Sequence, residues 1–193
     1  MIQNTIEDFA VFLDRDGTII DNVPYLNDLS KINFIDKSID AIKNLNLLGL
    51  KVFVVTNQSG VARGILTEEI LNQIHLEMQN KLKSFGAKID YFFYCPHLID
   101  GTEKKYSIDC DCRKPKSGML LEAKNKFNID FKNSFMVGDD DKDIIAGKNV
   151  GTKTIKIEKK EVRKPNNLAD FTTHNLYEAS NIIISEMQKK YAV

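Results

Sequence analysis

The chain has 193 residues, of which 42% are apolar and 28% are charged. This size and composition predict one soluble globular domain over residues 1–193, with a single substantial core. The 27 basic side chains balance the 27 acidic ones, so the net charge argues against nucleic acid or an anionic membrane as a partner. No apolar run reaches the roughly 20 residues of a membrane span. Acidic residues interrupt the first segment where a signal peptide would stay apolar, which favours a cytoplasmic location.

Short strands and helices alternate along the chain. Runs of β-branched and aromatic residues, apolar at nearly every position, predict strands over 9–13, 51–56, 90–95, 134–138 and 152–157, with a last strand near 169–172. Apolar residues at helical spacing predict helices over 37–49, 67–86, 117–127, 143–150 and about 175–188. This alternation predicts a three-layer α/β/α fold, in which a Rossmann-like parallel sheet lies between helices. Functional side chains are then expected beyond the carboxyl ends of the strands.

Two segments depart from this alternation. Residues 21–35 are predicted to form a loop or small flap, no more than a minimal cap, directly after the polar end of the first strand. Residues 95–118 are a long insertion without periodicity. We expect both segments to be loops attached to the one domain.

Acidic side chains follow the first and the fourth predicted strands. Asp14 and Asp16 follow the first strand, and the stretch GDDDKD supplies Asp139, Asp140 and Asp143 after the fourth. Carboxylates held close together repel each other unless a cation lies between them. Magnesium takes one or two carboxylates and fills its shell with water and phosphate, so the two strand ends together predict a Mg²⁺ site. Each stretch alone would also fit an ordinary polar turn.

All three cysteines fall in the insertion. Cys95 and His97 form a C-x-H pair, and Cys110 and Cys112 form a C-x-C pair. An odd number of cysteines argues against a disulfide framework, whereas three thiolates and one imidazole complete the tetrahedral shell of structural zinc. Such a shell leaves no position for a substrate, so the predicted role of Zn²⁺ is to fold the loop. The alternative is three unrelated reduced thiols.

Basic and amide side chains complete the candidate site. Arg113 and Lys114 follow the second thiol pair, so a loop fixed by metal would hold them as an anion clamp, although RKP alone also fits a solvated charge pair. The stretch TNQSGVARG offers the Thr56 hydroxyl, two side-chain amides, backbone N–H groups and Arg63, which are components of a phosphate cradle. His75 borders an apolar stripe and is predicted to be a packed or surface residue without a function.

The stretches DRDGT, TNQSG, RKP and GDDDKD, in this order and spacing, resemble the four motifs of the haloacid dehalogenase superfamily of phosphohydrolases. Within it, CPH…CDCRKPKSGML and TNQSGVARG resemble the D-glycero-D-manno-heptose 1,7-bisphosphate 7-phosphatases, over about Phe9 to Gly151. The resemblance implies a magnesium-dependent phosphatase with a structural zinc. It also implies a small phosphosugar substrate, in the biosynthesis of nucleotide-activated heptose.

The same resemblance implies a role for each motif residue. Asp14 would attack phosphorus to form an aspartyl-phosphate, and Asp16 would protonate the leaving oxygen and then activate water. Mg²⁺ would bind Asp14, the backbone carbonyl of Asp16, and Asp139. Thr56 and Lys114 would hold the phosphoryl oxygens. Five further residues would face the substrate, the last of them reaching its second phosphate: Asn57, Gln58, Ser59, Arg63 and Arg113.

One departure from the family pattern and two alternative functions remain open. These phosphatases commonly carry Lys directly after the aspartate that matches Asp139, whereas this chain has Asp140, an additional candidate Mg²⁺ ligand. The related histidinol-phosphate phosphatases share the zinc loop and RKP but typically carry TNQDG without ARG, so Ser59 and Arg63 favour the heptose enzyme. A catalytically silent phosphosugar-binding protein is disfavoured because both carboxylates of DRDGT are present. No strongly apolar exposed face is evident, so we expect a monomer.

Overall fold

A computed structural model of the protein describes residues 8–158 and 168–191. Its strands are β1 (Ala10–Leu13), β2 (Lys51–Asn57), β3 (Tyr91–Cys95), β4 (Phe135–Gly138), β5 (Lys153–Ile157) and β6 (Phe171–Thr173). Its helices are α1 (Ser38–Leu47), α2 (Glu68–Ser84), α3 (Gly118–Phe127), α4 (Asp141–Val150) and α5 (Leu176–Tyr191). The six strands form one parallel sheet in the order β3-β2-β1-β4-β5-β6.

The two central strands of the sheet are β1 and β4. Leu13 in β1 pairs with Val54 in β2 on one side and with Val137 in β4 on the other. The chain runs outward from β1 through β2 to β3, then returns to β4 and continues outward through β5 to β6. The direction of winding therefore reverses between β1 and β4. Such a reversal opens a crevice beyond the carboxyl ends of the two adjacent strands.

Helices cover both faces of the sheet. Because alternate side chains of a strand point to opposite faces, strands β1, β2 and β4 each contribute to two buried clusters. Val11 and Val54 pack with residues of α1, α2 and α5, whereas Phe12 and Phe53 pack with residues of α3 and α4. Strands β1 and β4 are buried at every position. Burial on both faces explains why these strands are continuous apolar runs in the sequence.

Polar side chains cap the helices that border the candidate site. Thr67 Oγ1 accepts a hydrogen bond from the backbone N–H of Ile70 at the start of α2. Helix α4 begins with a capping box: the Asp140 carboxylate accepts from the backbone N–H of Lys142, and the Asp143 carboxylate accepts from that of Asp140. These bonds hold the acidic turn after β4 in one conformation.

The two irregular segments are attached to the carboxyl edge of the sheet. Residues 21–35 contain one short 3₁₀ turn, Leu29–Lys31, and Ile20 and Phe34 form a single antiparallel bridge at their base. Residues 96–117, between β3 and α3, contain no helix or strand. Within the described ranges, no helix is long and apolar enough to cross a bilayer.

The structure confirms the predicted fold class, and most element bounds differ from the predicted ones by only one or two residues. The largest difference is at the last helix, which the structure extends to Tyr191. A single domain over residues 1–193 stays a prediction, because it includes residues outside the described ranges.

Candidate active site

The carboxyl ends of β1 and β4 bring aspartates together. The backbone N–H of Asp14, directly after β1, donates to the carbonyl of Val137 in β4 at 2.9 Å. Gly17 turns the chain with a φ of +86°, and a Cβ at this position would clash with the Asp139 carboxylate. Only glycine accommodates both the positive φ and this close approach. One carboxylate oxygen from each of Asp14, Asp139 and Asp143 lies within 4.8 Å of the other two.

Lys114 is fully buried at the centre of this acidic group. Its Nζ lies 2.6 Å from Asp14 Oδ1, 2.7 Å from Asp143 Oδ1 and 2.6 Å from the carbonyl oxygen of Val55 in β2. Burial alone would lower the pKa of the Lys114 amine, but the carboxylates of Asp14 and Asp143 raise it above its ordinary value. The lysine is therefore a fixed positive charge in contact with Asp14.

Asp16 is held from two sides. The Arg15 guanidinium donates through Nε and Nη2 to both carboxylate oxygens of Asp16, at 2.9–3.2 Å. Gln58 Nε2 donates to Asp16 Oδ2 at 2.9 Å and to Thr56 Oγ1 at 2.8 Å. The predicted substrate residue Gln58 therefore connects two other residues of the candidate site, one from each of the first two motifs.

Asn57 braces the loop that carries Lys114. Its Nδ2 donates to the Lys114 carbonyl, and its Oδ1 accepts from the Lys114 backbone N–H, both at 3.0 Å. Both ends of the amide are thus used within the protein, so Asn57 positions the lysine. Thr56, one residue earlier, is 1% exposed, and its Oγ1 accepts the hydrogen bond from Gln58 Nε2.

A cavity of about 350 Å³ opens beside these side chains. The predicted site residues Asp14, Asp16, Thr56, Ser59 and Asp139 are among those that line it. Residues 22–26 of the flap form another part of its wall. The cavity is large enough for a small phosphorylated ligand, and its wall brings the acidic cluster and the TNQSG stretch to one space.

Two predicted substrate residues do not line this cavity. Arg113 Nη1 donates to the carbonyl of His97 at 3.2 Å, and the Arg63 guanidinium lies 6.0 Å from the centre of the Tyr25 ring. The exposed cation in the cavity wall is instead Lys142, whose Nζ is 2.9 Å from Asp140 Oδ2. Arg113 thus lies in the insertion and Arg63 in the segment after TNQSG, both outside the cavity wall.

Asp140, the additional candidate ligand, also lines the cavity but points its carboxylate at the start of α4. Burial alone would raise the pKa of Asp140, but the hydrogen bonds and charge of Lys142 lower it below its ordinary value. Asp140 is not among the three carboxylates that lie within metal-binding distance of one another. Its neighbour Asp143 is.

The charges at this edge fit a divalent cation. Four carboxylates meet here: those of Asp14, Asp16, Asp139 and Asp143. Lys114 contacts Asp14 and Asp143, and Arg15 contacts Asp16, whereas among the described residues no cation forms an ion pair with Asp139. Burial raises the pKa of Asp139 above its ordinary value, and the neighbouring Asp14 carboxylate adds to this shift. Converging carboxylate oxygens of this kind suit Mg²⁺.

The four predicted zinc ligands converge in the insertion. The Sγ atoms of Cys95 and Cys112 lie 3.5 and 3.3 Å from that of Cys110, and His97 Nδ1 lies 3.2 Å from Cys112 Sγ. These spacings far exceed a disulfide bond and come within about half an ångström of the edges of a zinc tetrahedron. The hydrogen bond between Cys95 and Cys112 lowers the pKa of Cys95 and raises that of Cys112, so without a cation one proton is shared between the two sulfur atoms. The donor set and its geometry fit a metal ion.

The sequence is similar to those of known proteins. A family model described as HAD-hydrolase-like matches residues 111–179. The chain is 45% identical over 144 residues to the D-glycero-beta-D-manno-heptose-1,7-bisphosphate 7-phosphatase of Pasteurella multocida, which covers 75% of this chain and 78% of that one. It is 38% identical over 177 residues to the enzyme of the same name from Salmonella typhi, over 90% of this chain and 94% of that one. The chain belongs to this 7-phosphatase family.

A solved structure agrees with the membership of the 7-phosphatase family. The crystal structure of D,D-heptose 1.7-bisphosphate phosphatase from B. bronchiseptica, complexed with magnesium and phosphate, matches with a TM-score of 0.79 and 26% identity, and the match covers 92% of this chain and 99% of that one. The similarity therefore extends over most of the chain.

Sequence reasoning missed two contacts in this member of the 7-phosphatase family. The Arg15 side chain is buried beside Asp16, and Arg15 Nη1 lies 3.3 Å from His75 Nε2. A signal for His75 existed, because it lies four residues after Leu71 and three before Met78 on the buried stripe of α2. No local pattern indicated that Arg15 would turn inward.

Proposed function

We propose that the protein hydrolyses the 7-phosphate of D-glycero-D-manno-heptose 1,7-bisphosphate through an aspartyl-phosphate on Asp14. The observation that carries the proposal is the buried contact of 2.6 Å between Lys114 and Asp14, with Asp16 beside them, in a chain 45% identical to a 7-phosphatase of that name. A carboxylate next to a fixed ammonium and a second carboxyl group is suited to nucleophilic attack followed by proton transfer.

In the first step, a carboxylate oxygen of Asp14 attacks phosphorus, and the bond between phosphorus and the sugar oxygen breaks. The leaving oxygen takes a proton from the Asp16 carboxyl group and departs as the sugar alcohol. Lys114 stays beside Asp14 and stabilises negative charge near the transferring group. The Thr56 hydroxyl, at the cavity wall, supplies a hydrogen bond to a phosphoryl oxygen.

In the second step, water attacks the phosphorus of the aspartyl-phosphate. The Asp16 carboxylate takes a proton from that water, the bond to Asp14 breaks, and inorganic phosphate leaves. Asp14 and Asp16 thereby return to their starting protonation states. Gln58, which donates to Asp16 Oδ2, and Asn57, which braces Lys114, act in both steps by fixing these groups.

Asp14, Asp139 and the backbone carbonyl of Asp16 would hold Mg²⁺, with Asp143 close by. When bound, Mg²⁺ neutralises charge on the phosphoryl oxygens and orients the phosphate for attack. The convergence of three carboxylates, and the raised pKa of Asp139 beside Asp14, support this assignment.

The thiols and imidazole of the insertion would hold a structural Zn²⁺. Residues 96–117 lack regular secondary structure, and the next two residues after Cys112 are Arg113 and Lys114. A metal ion bound by ligands from both ends of this segment would therefore help to hold Lys114 in its position beside Asp14. Cytoplasmic location and a monomeric state stay predictions of the sequence.

The test is a comparison of phosphate release from three substrates by the purified enzyme with Mg²⁺. We expect kcat/KM for the α or β anomer of the heptose bisphosphate to exceed that for histidinol phosphate by at least about a hundredfold, because a site adapted to one substrate rejects another that leaves its polar groups unpaired. Equal values of kcat/KM, or a higher value for histidinol phosphate, would contradict the heptose bisphosphate as the substrate. Tight binding of the bisphosphate without phosphate release would instead favour the silent binding protein.

A further inference from the structure

Arg15 is a charged side chain in an unusual position. It is among the largest fully buried side chains of the described residues, and only 1% of its surface is exposed. Burying an unpaired guanidinium would be costly. Its nitrogen atoms contact two side chains: Asp16 on one edge and His75 on the other. The guanidinium is therefore fixed from both sides.

The edge that faces Asp16 restricts its orientation. Nε and Nη2 of Arg15 both lie within 3.2 Å of the two carboxylate oxygens of Asp16. All four N···O distances fall between 2.9 and 3.2 Å, so the guanidinium edge contacts both carboxylate oxygens at once. Two donors held in one rigid group restrict the Asp16 carboxyl group more than the single ammonium of a lysine would. The side chain of Asp16 nevertheless retains 20% exposure, on the side that faces the cavity.

The edge that faces His75 is held by a neutral imidazole. Arginine can only donate hydrogen bonds, so His75 Nε2, 3.3 Å from Arg15 Nη1, has to accept, and the ring proton is on Nδ1. Burial and the charge of Arg15 lower the pKa of His75 well below its ordinary value, in agreement with a neutral ring. The imidazole stacks on Phe92 of β3, with centroids 4.5 Å apart and planes 15° apart. A helix and a strand of the core thus fix its orientation.

We propose that His75 and Arg15 are positioning residues for proton transfer: His75 holds the Arg15 guanidinium, which holds the Asp16 carboxyl group in line with the leaving oxygen. The inference rests on the proposed function, in which Asp16 exchanges that proton. The inference adds a residue of helix α2, His75, to a site otherwise formed by the four sequence motifs. A simpler structural role, in which His75 only fills space under Arg15, makes a different kinetic prediction.

The discriminating experiment compares two leaving groups. p-Nitrophenyl phosphate releases a stable anion that needs no proton, whereas the sugar oxygen of the heptose bisphosphate does need one. His75→Leu removes the nitrogen that accepts from Arg15 but keeps a side chain of similar volume. We expect kcat/KM to fall about tenfold or more for the bisphosphate and less than about twofold for p-nitrophenyl phosphate, because kcat/KM reports the transition state of the phosphoryl-transfer step. His75→Gln, whose amide oxygen can accept from Arg15, should recover most of the loss.

Two controls separate this effect from a loss of folding. Asn72→Leu alters an exposed position one turn earlier on α2 and should leave both rates unchanged. The second control follows the NMR signal of the Arg15 Nε–H and needs no turnover. The chain has only four arginines, and the signal of Arg15 is identified by its loss in Arg15→Lys. It should exchange slowly with solvent in the wild type and in His75→Gln, and rapidly in His75→Leu.

Equal losses on the two substrates in His75→Leu would overturn the inference, as would an Arg15 Nε–H signal that this substitution leaves protected. Failure of the proposed function is a separate result. If the wild-type enzyme hydrolyses histidinol phosphate instead of the bisphosphate, the substrate assignment fails. The losses of kcat/KM in His75→Leu are then compared between histidinol phosphate and p-nitrophenyl phosphate.

Discussion

Lys114 Nζ lies 2.6 Å from Asp14 Oδ1, although 100 residues separate the two in the chain. The same nitrogen contacts the carbonyl of Val55 at 2.6 Å and Asp143 Oδ1 at 2.7 Å. A single buried ammonium therefore joins the end of the insertion to β1, β2 and α4. The packing of these elements and the chemistry proposed for Asp14 depend on the same atom.

We predict that Lys114→Met both inactivates and destabilises the protein. Methionine retains the length of the side chain but leaves Asp14 and Asp143 buried without their shared cation. Removing one partner of a buried ion pair typically costs about 3–5 kcal/mol. We expect a loss of this size in the free energy of unfolding, measured by urea denaturation, and at least about a hundredfold loss in kcat.

Lys116→Met is the matched control for this substitution. Lys116 pairs with Asp109 at 2.7 Å, but both side chains are largely exposed. Exposed pairs contribute about 0–1 kcal/mol, so stability and activity should stay close to wild type. Similar losses in the two variants would contradict the special role given to Lys114.

Gly17→Ala should weaken the binding of Mg²⁺. A Cβ at this position clashes with the Asp139 carboxylate and also strains a backbone with a φ of +86°. We expect the Mg²⁺ concentration that gives half-maximal activity to rise at least about tenfold. Gly151→Ala imposes a similar strain at a φ of +83° with no atom within 4 Å, so it should lower stability by about 1–2 kcal/mol and leave the Mg²⁺ dependence unchanged.

Asp14→Asn should abolish turnover while the fold is retained. The substitution removes the nucleophilic charge but changes few atoms, and Lys114 keeps its contact with Asp143. We expect phosphate release to fall by more than about a thousandfold, with an unchanged far-ultraviolet circular dichroism spectrum. Substantial phosphatase activity in Asp14→Asn would show that another group attacks phosphorus.

Protein purified without chelator should contain about one zinc per chain, measured by elemental analysis. Cys112→Ser should lose this zinc and unfold at a lower urea concentration, because the insertion has no regular secondary structure to hold it. Asp111→Asn alters the residue between the two cysteines, whose side chain is 99% exposed, and should retain both the zinc and the stability. Full stability and activity in a zinc-free wild type would refute a structural zinc.

Local sequence patterns predicted two parts of the site: the carboxylates at the strand ends and the thiols of the insertion. Asp14 and Asp139 follow apolar runs buried on both faces, and a parallel sheet brings such ends to one edge. Cys95 and Cys112 were predicted to converge because their spacing suits one metal, and their sulfur atoms lie within 4.8 Å of each other. Both inferences needed only periodicity and the chemistry of neighbouring residues.

Contacts between distant segments were not predictable in the same way. Asn57 was expected to face the substrate, and it lines the cavity, but no local pattern indicated that its amide also binds the backbone of Lys114, 57 residues away. That Arg113 reaches a second phosphate stays a prediction; the sequence did not indicate that its guanidinium donates to the carbonyl of His97 outside the cavity wall. An amide or a guanidinium has several possible partners, and the fold decides which of them lies within reach.

The sequence by itself determined the layered architecture, the order of the motifs along the sheet edge and the set of thiol ligands, because each follows from residue type and short-range spacing. Only the tertiary structure decided that Arg15 turns inward and that His75, 60 residues later on α2, receives it. The physical reason is that burial of a guanidinium is stable only where separate elements supply both a carboxylate and a neutral acceptor. That coincidence exists only once the helix has packed against the sheet.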